Sequence, residues 1–157
     1  MKAASLQEIR KELSALSSSQ VLELCLRLVK SKKENKEFLT YLLFEAHDEH
    51  GFIQNVKNEI DDFFEDLPKA STYLTKKSLR KLLRAIAKYS RHTGSRQAEI
   101  EMLIHFCSKL KSSGIPIKAS LTLGKLYLQQ LKKISALLEL LHEDLRYDYK
   151  KKLDQLI

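Results

Sequence analysis

Four glycines, two prolines and no tryptophan are spread through a chain of 157 residues. So few turn formers cannot serve a many-stranded β architecture, which needs them at nearly every reversal. No apolar run reaches the roughly eighteen residues of a membrane span. The opening Met1-Lys2-Ala3-Ala4-Ser5 leads straight into a charged amphipathic stretch, so no secretory leader is expected. The two cysteines, Cys25 and Cys107, each sit among aliphatic neighbours at helical spacing. Both are expected as core thiols, which suits a reducing cytoplasm better than a disulfide. Phosphate loops, G-x-G-x-x-G turns and G-x-S-x-G elbows are missing too, and with them the common nucleotide and serine-hydrolase chemistries.

The most informative absence is one of charge. From Leu67 to Ala98 there is no Asp or Glu, against nine Lys and Arg, so the whole +8 excess of the chain lies in that segment. Within it Leu79, Leu82, Leu83, Ile86 and Tyr89/Ser90 recur at steps of three and four and make one apolar helix face. Lys77, Lys81, Arg84, Lys88 and Arg91 follow the same steps on another face, beside Lys76 and Arg80. Like charges four apart, with two lysines at the positive end of the helix dipole, cost about 1–2 kcal/mol at low salt. Packing, an acidic neighbour or an anionic ligand must offset that cost.

Apolar content of 43% and charged content of 31% are those of a folded chain rather than a disordered one. The length is most simply one domain, 1–157. Ser5-Leu-Gln-Glu8 is a capping box that opens a first helix, and Ser17-Ser18-Ser19 breaks it and caps a second, running to about Ser31. After a polar turn at Lys32–Lys36, a third helix is predicted to end at Gly51, with His47 and His50 in its last turn. A fourth, about Phe52 to Asp66, turns Ile53, Val56, Ile60, Phe63 and Leu67 inward and crowds acids into its C-terminal half, the wrong end for the dipole. An antiparallel hairpin with the basic helix, joined through Pro68 and Ala70–Thr72, would set Asp61–Asp66 beside Lys76–Lys81 and relieve both. Gly94 and Ser95 then stop the fifth helix and cap a sixth, which packs through Ile100, Leu103, Ile104, Cys107 and Leu110. Leu123, Tyr127, Leu131, Ile134, Leu138, Leu141 and Leu145 form a wide stripe expected on a central core helix, with a dimer seam as the alternative reading. A kink or break is expected near His142–Leu145, before a last helix.

Candidate sites are few. His47 and His50, in Glu45-Ala-His47-Asp48-Glu49-His50, are the weak candidates for metal ligands, with no second cluster to complete a site. His142-Glu143-Asp144-Leu145-Arg146 begins like a zinc-protease motif, but Arg146 stands where the second histidine is required. His105 and Cys107 are two apart and point away from each other on a helix. No cofactor is implied. The far end of the basic helix is the best candidate: Arg84, Lys88, Arg91, His92, Ser95 and Arg96 would gather at the N-terminus of the sixth helix, where free N–H groups favour anions.

Leu13-Ser-Ala-Leu16-Ser, Val21-Leu-Glu-Leu24 and Glu34-Asn-Lys-Glu-Phe-Leu39 resemble the start of a bacterial family of unknown function. Thr93-Gly94-Ser95, Glu99-Ile, Phe106-Cys107, Leu141-His-Glu-Asp144 and Asp148-Tyr149 resemble segments of uncharacterised Bacteroidetes proteins. The resemblance implies no activity, cofactor or catalytic residue.

These readings predict an all-α protein of about seven helices in an irregular bundle or short α–α array. It is expected to be non-enzymatic and cytoplasmic, a monomer or homodimer without a membrane partner, using the basic helix to recognise an acidic protein surface. The alternative is a nucleic-acid-binding protein that grips the phosphate backbone with the same residues. With no aromatics interleaved in the stripe, such binding would be weakly sequence-specific and strongly salt-dependent.

Overall fold

The structure is a computed structural model that describes residues 2–68 and 71–157. Lys69 and Ala70, inside the connection expected after Pro68, lie outside the described residues, as does Met1. The fold is all-α. The chain divides into two compact units, Met1–Phe44 and Glu45–Ile157.

The first unit holds α1 (Leu6–Ser14), α2 (Ser18–Ser31) and α3 (Lys33–Thr40), with a π-helical turn following at Tyr41–Glu45. The expected capping box of Ser5 with Glu8 forms, and the cap expected at Ser17–Ser19 is Ser17, which makes a second box with Gln20; each pair exchanges side-chain and backbone bonds. Lys32 alone separates α2 from α3, where a longer polar turn is predicted. The corner is closed instead by Asn35, whose Nδ2 donates to the Leu28 carbonyl at 2.8 Å. Among the described residues, none of α1, α2 or α3 is buried. Cys25 is therefore not the core thiol expected from its neighbours but an exposed one.

The predicted stop at Gly51 is also corrected. Helical structure breaks after Glu45 and resumes as α4 (Glu49–Glu65), so Gly51 lies in the first turn of a helix rather than past the end of one. Asp48 is its N-cap, its carboxylate accepting from the Gly51 N–H at 2.9 Å. A Cβ on residue 51 would meet the Asp48 carboxylate, which explains glycine at this position.

The second unit continues with α5 (Thr72–Thr93), α6 (Arg96–Ser112), α7 (Leu121–Leu138) and α8 (Glu143–Asp154). Its centre is α6, which packs against α4, α5, α7 and α8. Ala98, Ile100, Met102, Leu103, Phe106, Cys107 and Leu110 are all buried, and at 100° per residue they cover more than half of its circumference. The final helical stripe, expected to be central, lies to one side of α6. Leu123, Tyr127, Leu131, Ile134 and Leu138 face the core, so this stripe is no seam for a second copy. The break comes at Glu139–His142, slightly ahead of the expected position, and α8 then buries Tyr149 and Leu153. On α4 the inward phenylalanine is Phe64, not Phe63; its ring lies 5.8 Å from that of Phe106. Gly94 ends α5 in the left-handed region at φ 64°, as its position predicts.

Candidate basic surface and the polar network of α4, α6 and α8

The antiparallel course of α4 and α5 is visible where Phe52, at the start of α4, meets Tyr89, near the end of α5, edge-on at 5.8 Å. The Tyr89 hydroxyl donates to Glu59 at 2.9 Å. The charge pairing expected of this hairpin does not form. Among the described residues, no ion pair joins Lys76, Lys77, Arg80 or Lys81 to Asp61, Asp62, Glu65 or Asp66. Asp61 turns toward α6 instead, where His105 Nε2 lies 2.5 Å and Lys109 Nζ 3.1 Å from its Oδ1. The helix that neutralises part of α4 is therefore α6, while Lys77, Arg80, Lys81, Arg84 and Arg91 of α5 are exposed to solvent.

The six residues predicted to gather at the far end of α5 separate into groups. Arg91, Ser95 and Arg96 line an open cleft of about 290 Å³ between the ends of α5 and α6 and the flank of α7. Lys88 and His92 flank Tyr89 instead: the Lys88 ammonium is 5.1 Å from that ring's centre, and the His92 ring 6.3 Å. Arg84 is exposed and lines neither place. Within the cleft, Glu99 already presents a carboxylate, paired with Lys133 of α7 at 2.5 Å. Ser95 acts as the N-cap of α6, its hydroxyl oxygen accepting from the Ala98 N–H. A phosphate-sized pocket is thus not what these residues build. They make an extended basic strip with a partly neutralised end.

The metal candidates do not share a helix. His47 lies in the turn after the π-helical segment and His50 in the first turn of α4, and both are exposed. Among the described residues, no group of three His, Cys, Asp or Glu side chains is placed to hold a metal ion. Arg146, in the position a zinc motif would give to histidine, donates to the Glu139 and Leu141 carbonyls and so caps the end of α7.

A polar network that spacing alone does not reveal ties α4, α6 and α8 together. Lys57 Nζ and the Tyr149 hydroxyl donate to the two carboxylate oxygens of Glu101, at 2.8 and 2.7 Å. Burial pushes the Glu101 carboxyl upward, but these two donors outweigh it and hold the group below its ordinary value. Asp61 behaves alike: burial raises it, and the hydrogen bonds from His105 and Lys109 bring it down further than burial lifts it. Burial pushes the Cys107 thiol up to about 12, so this cysteine is inert at neutral pH. Each participant lies forty or more residues from its partner, and no local motif encodes such a set. Because both carboxyls titrate lower in the fold than in the unfolded chain, acid favours unfolding. The second unit should keep this stabilisation above the ordinary glutamate value of 4.5 and lose it as the pH falls below. Thermal midpoints between pH 7 and pH 3 measure this; Glu101→Gln should flatten the dependence, and an unchanged slope would contradict the assignment.

Comparison with protein-family models, with curated proteins and with solved structures found no match to the chain. No helix among the described residues is long and apolar enough to cross a membrane.

Proposed function

We propose that this is a non-enzymatic, cytoplasmic interaction or scaffolding protein that recognises an acidic protein surface through the exposed side of α5. One observation carries this reading. Among the described residues, Lys76, Lys77, Arg80, Lys81, Arg84 and Arg91 of α5 take part in no ion pair or hydrogen bond, whereas Lys57, Lys109 and Lys133 are all paired. These six like charges, spread over four turns of helix, have no opposite charge paired with them among the described residues, and an acidic partner would remove the repulsion that the fold leaves in place.

A nucleic-acid backbone is the second reading, favoured by spacing. Residues 76 to 91 cover about 22 Å of helix axis, a length over which one DNA strand presents roughly six phosphates. Base stacking is not offered along the strip, since Tyr89 is engaged with Phe52 and Glu59.

Affinity for a polyglutamate peptide and for a 20-base-pair duplex, each at low and moderate salt, separates the two. Arg84→Glu combined with Arg91→Glu should weaken binding by about ten- to a hundredfold without unfolding the chain, as both side chains are exposed. Six phosphate contacts would make duplex affinity fall by about a thousandfold between 50 and 200 mM salt. Stronger binding to the peptide supports the first reading. Failure to bind either polymer at low salt would overturn both.

A further inference from the structure

The first unit poses a problem that the basic helix does not solve. Of the twenty large apolar side chains exposed among the described residues, twelve fall between Leu6 and Phe44. Among the described residues of that unit, only Tyr41 is buried. Three helices without a core are not stable in water on helix propensity alone, because isolated helices of this length are marginal. Chains of about forty residues ordinarily need a metal, a disulfide or a partner to fold.

The sharpest case is α2. At 100° per residue, Leu24 and Leu28 mark one edge of its apolar arc, Leu22 and Leu26 the other, and Val21, Cys25 and Val29 the middle. The arc spans about 200°, twice the width that suits a helix lying on one surface. Only Val21 and Val29 are half-buried; Leu22 is 59% and Leu28 62% exposed. A helix so widely apolar belongs inside a packed assembly.

We propose that this face is the interface with a second copy of the same chain, with α2 at its centre and α1 alongside. The area agrees. The twelve side chains are on average about half exposed, which at ~100 Å² of apolar surface per leucine-sized side chain leaves on the order of 600 Å² per copy. A standard dimer interface buries about 800 Å² per partner, some 65% of it apolar in homodimers, or roughly 500 Å². The polar flanks agree as well. Arg10 and Glu12 on α1, and Glu23, Arg27 and Lys30 on α2, put both signs beside the apolar face. Two copies related by a two-fold axis can match such flanks to each other, whereas a polyanion or an anionic bilayer would call for one sign.

Sedimentation or light scattering of the full chain should return twice the monomer mass of 18.2 kDa at micromolar concentration. Leu24→Glu with Leu28→Glu should return the monomer mass and lower total helicity, while the second unit keeps its cooperative melt. Leu121→Glu, an exposed apolar position on α7, should leave the dimer intact. Cys25 is a built-in reporter: at the centre of the face, its alkylation should slow at least tenfold as protein concentration rises through the association range. Cys107 is buried and stays silent. A wild-type chain that remains monomeric at 100 µM would overturn the proposal. So would a dimer that survives the α2 double substitution, or a monomer that cosediments with anionic phosphatidylglycerol vesicles through α2. Concentration-independent protection of Cys25 would do the same, since it would place the face against its own chain.

Discussion

Phe106→Ala should destabilise the second unit by about 3–5 kcal/mol, the cost of a large aromatic cavity in a close-packed core. Phe106 is 0% exposed, lies on the helix that every other helix of the unit contacts, and packs its ring against Phe64. Few neighbours are free to collapse into the space, because Ile60, Met102, Leu103 and Leu110 are themselves fully enclosed. In thermal unfolding followed by circular dichroism the midpoint should fall by on the order of 10–20 °C. Phe63→Ala makes the comparison decisive: that ring is half-exposed, and its loss should cost well under half as much. Equal shifts would show that α6 is not the centre of the core.

The second large effect is expected at Glu101. Glu101→Ala would leave the Lys57 ammonium and the Tyr149 hydroxyl without their acceptor. The Lys57 and Glu101 side chains are about one-fifth exposed, so water replaces the lost bonds only in part, and about 2–4 kcal/mol of stability should go. Glu139→Ala is the matched control. Its carboxylate is largely in solvent, paired with Arg146 at 3.3 Å, and such pairs contribute less than about 1 kcal/mol. Adding Lys57→Met to Glu101→Ala should recover part of the loss, because it removes the stranded charge. If chemical denaturation shows the double variant no better than the single one, the network is not coupled as the geometry indicates.

What the sequence made legible was local. The capping box at Ser5, the cap at Ser17, the Gly94 stop and the Ser95 cap all form, because each depends on bonds among residues within three or four positions of one another. The inward stripe of α7 was legible for the same reason: its spacing is the helix period. Gly51 misled because glycine serves two purposes; here it makes room for the Asp48 carboxylate at a helix start rather than ending a helix. The central helix was hidden because α6 carries apolar residues around most of its surface and so shows little one-sidedness. Charge pairing failed at longer range. Asp61 was assigned to the next helix in the chain, yet its partners, His105 and Lys109, lie on the helix after that. The basic strip was legible as a concentration of charge, but its division at Tyr89 was not, since that depends on where Phe52 and Lys133 are placed.

The bare first unit also has a calorimetric consequence. The heat capacity of unfolding tracks apolar surface brought into water, at ~12–15 cal/mol/K per residue for an ordinary globular chain. Forty-four residues whose large apolar side chains are only about half hidden contribute less of it, so a lone copy should melt with a heat capacity step smaller than its length implies by on the order of 0.3 kcal/mol/K. The missing step is a direct measure of surface that one molecule alone cannot dry.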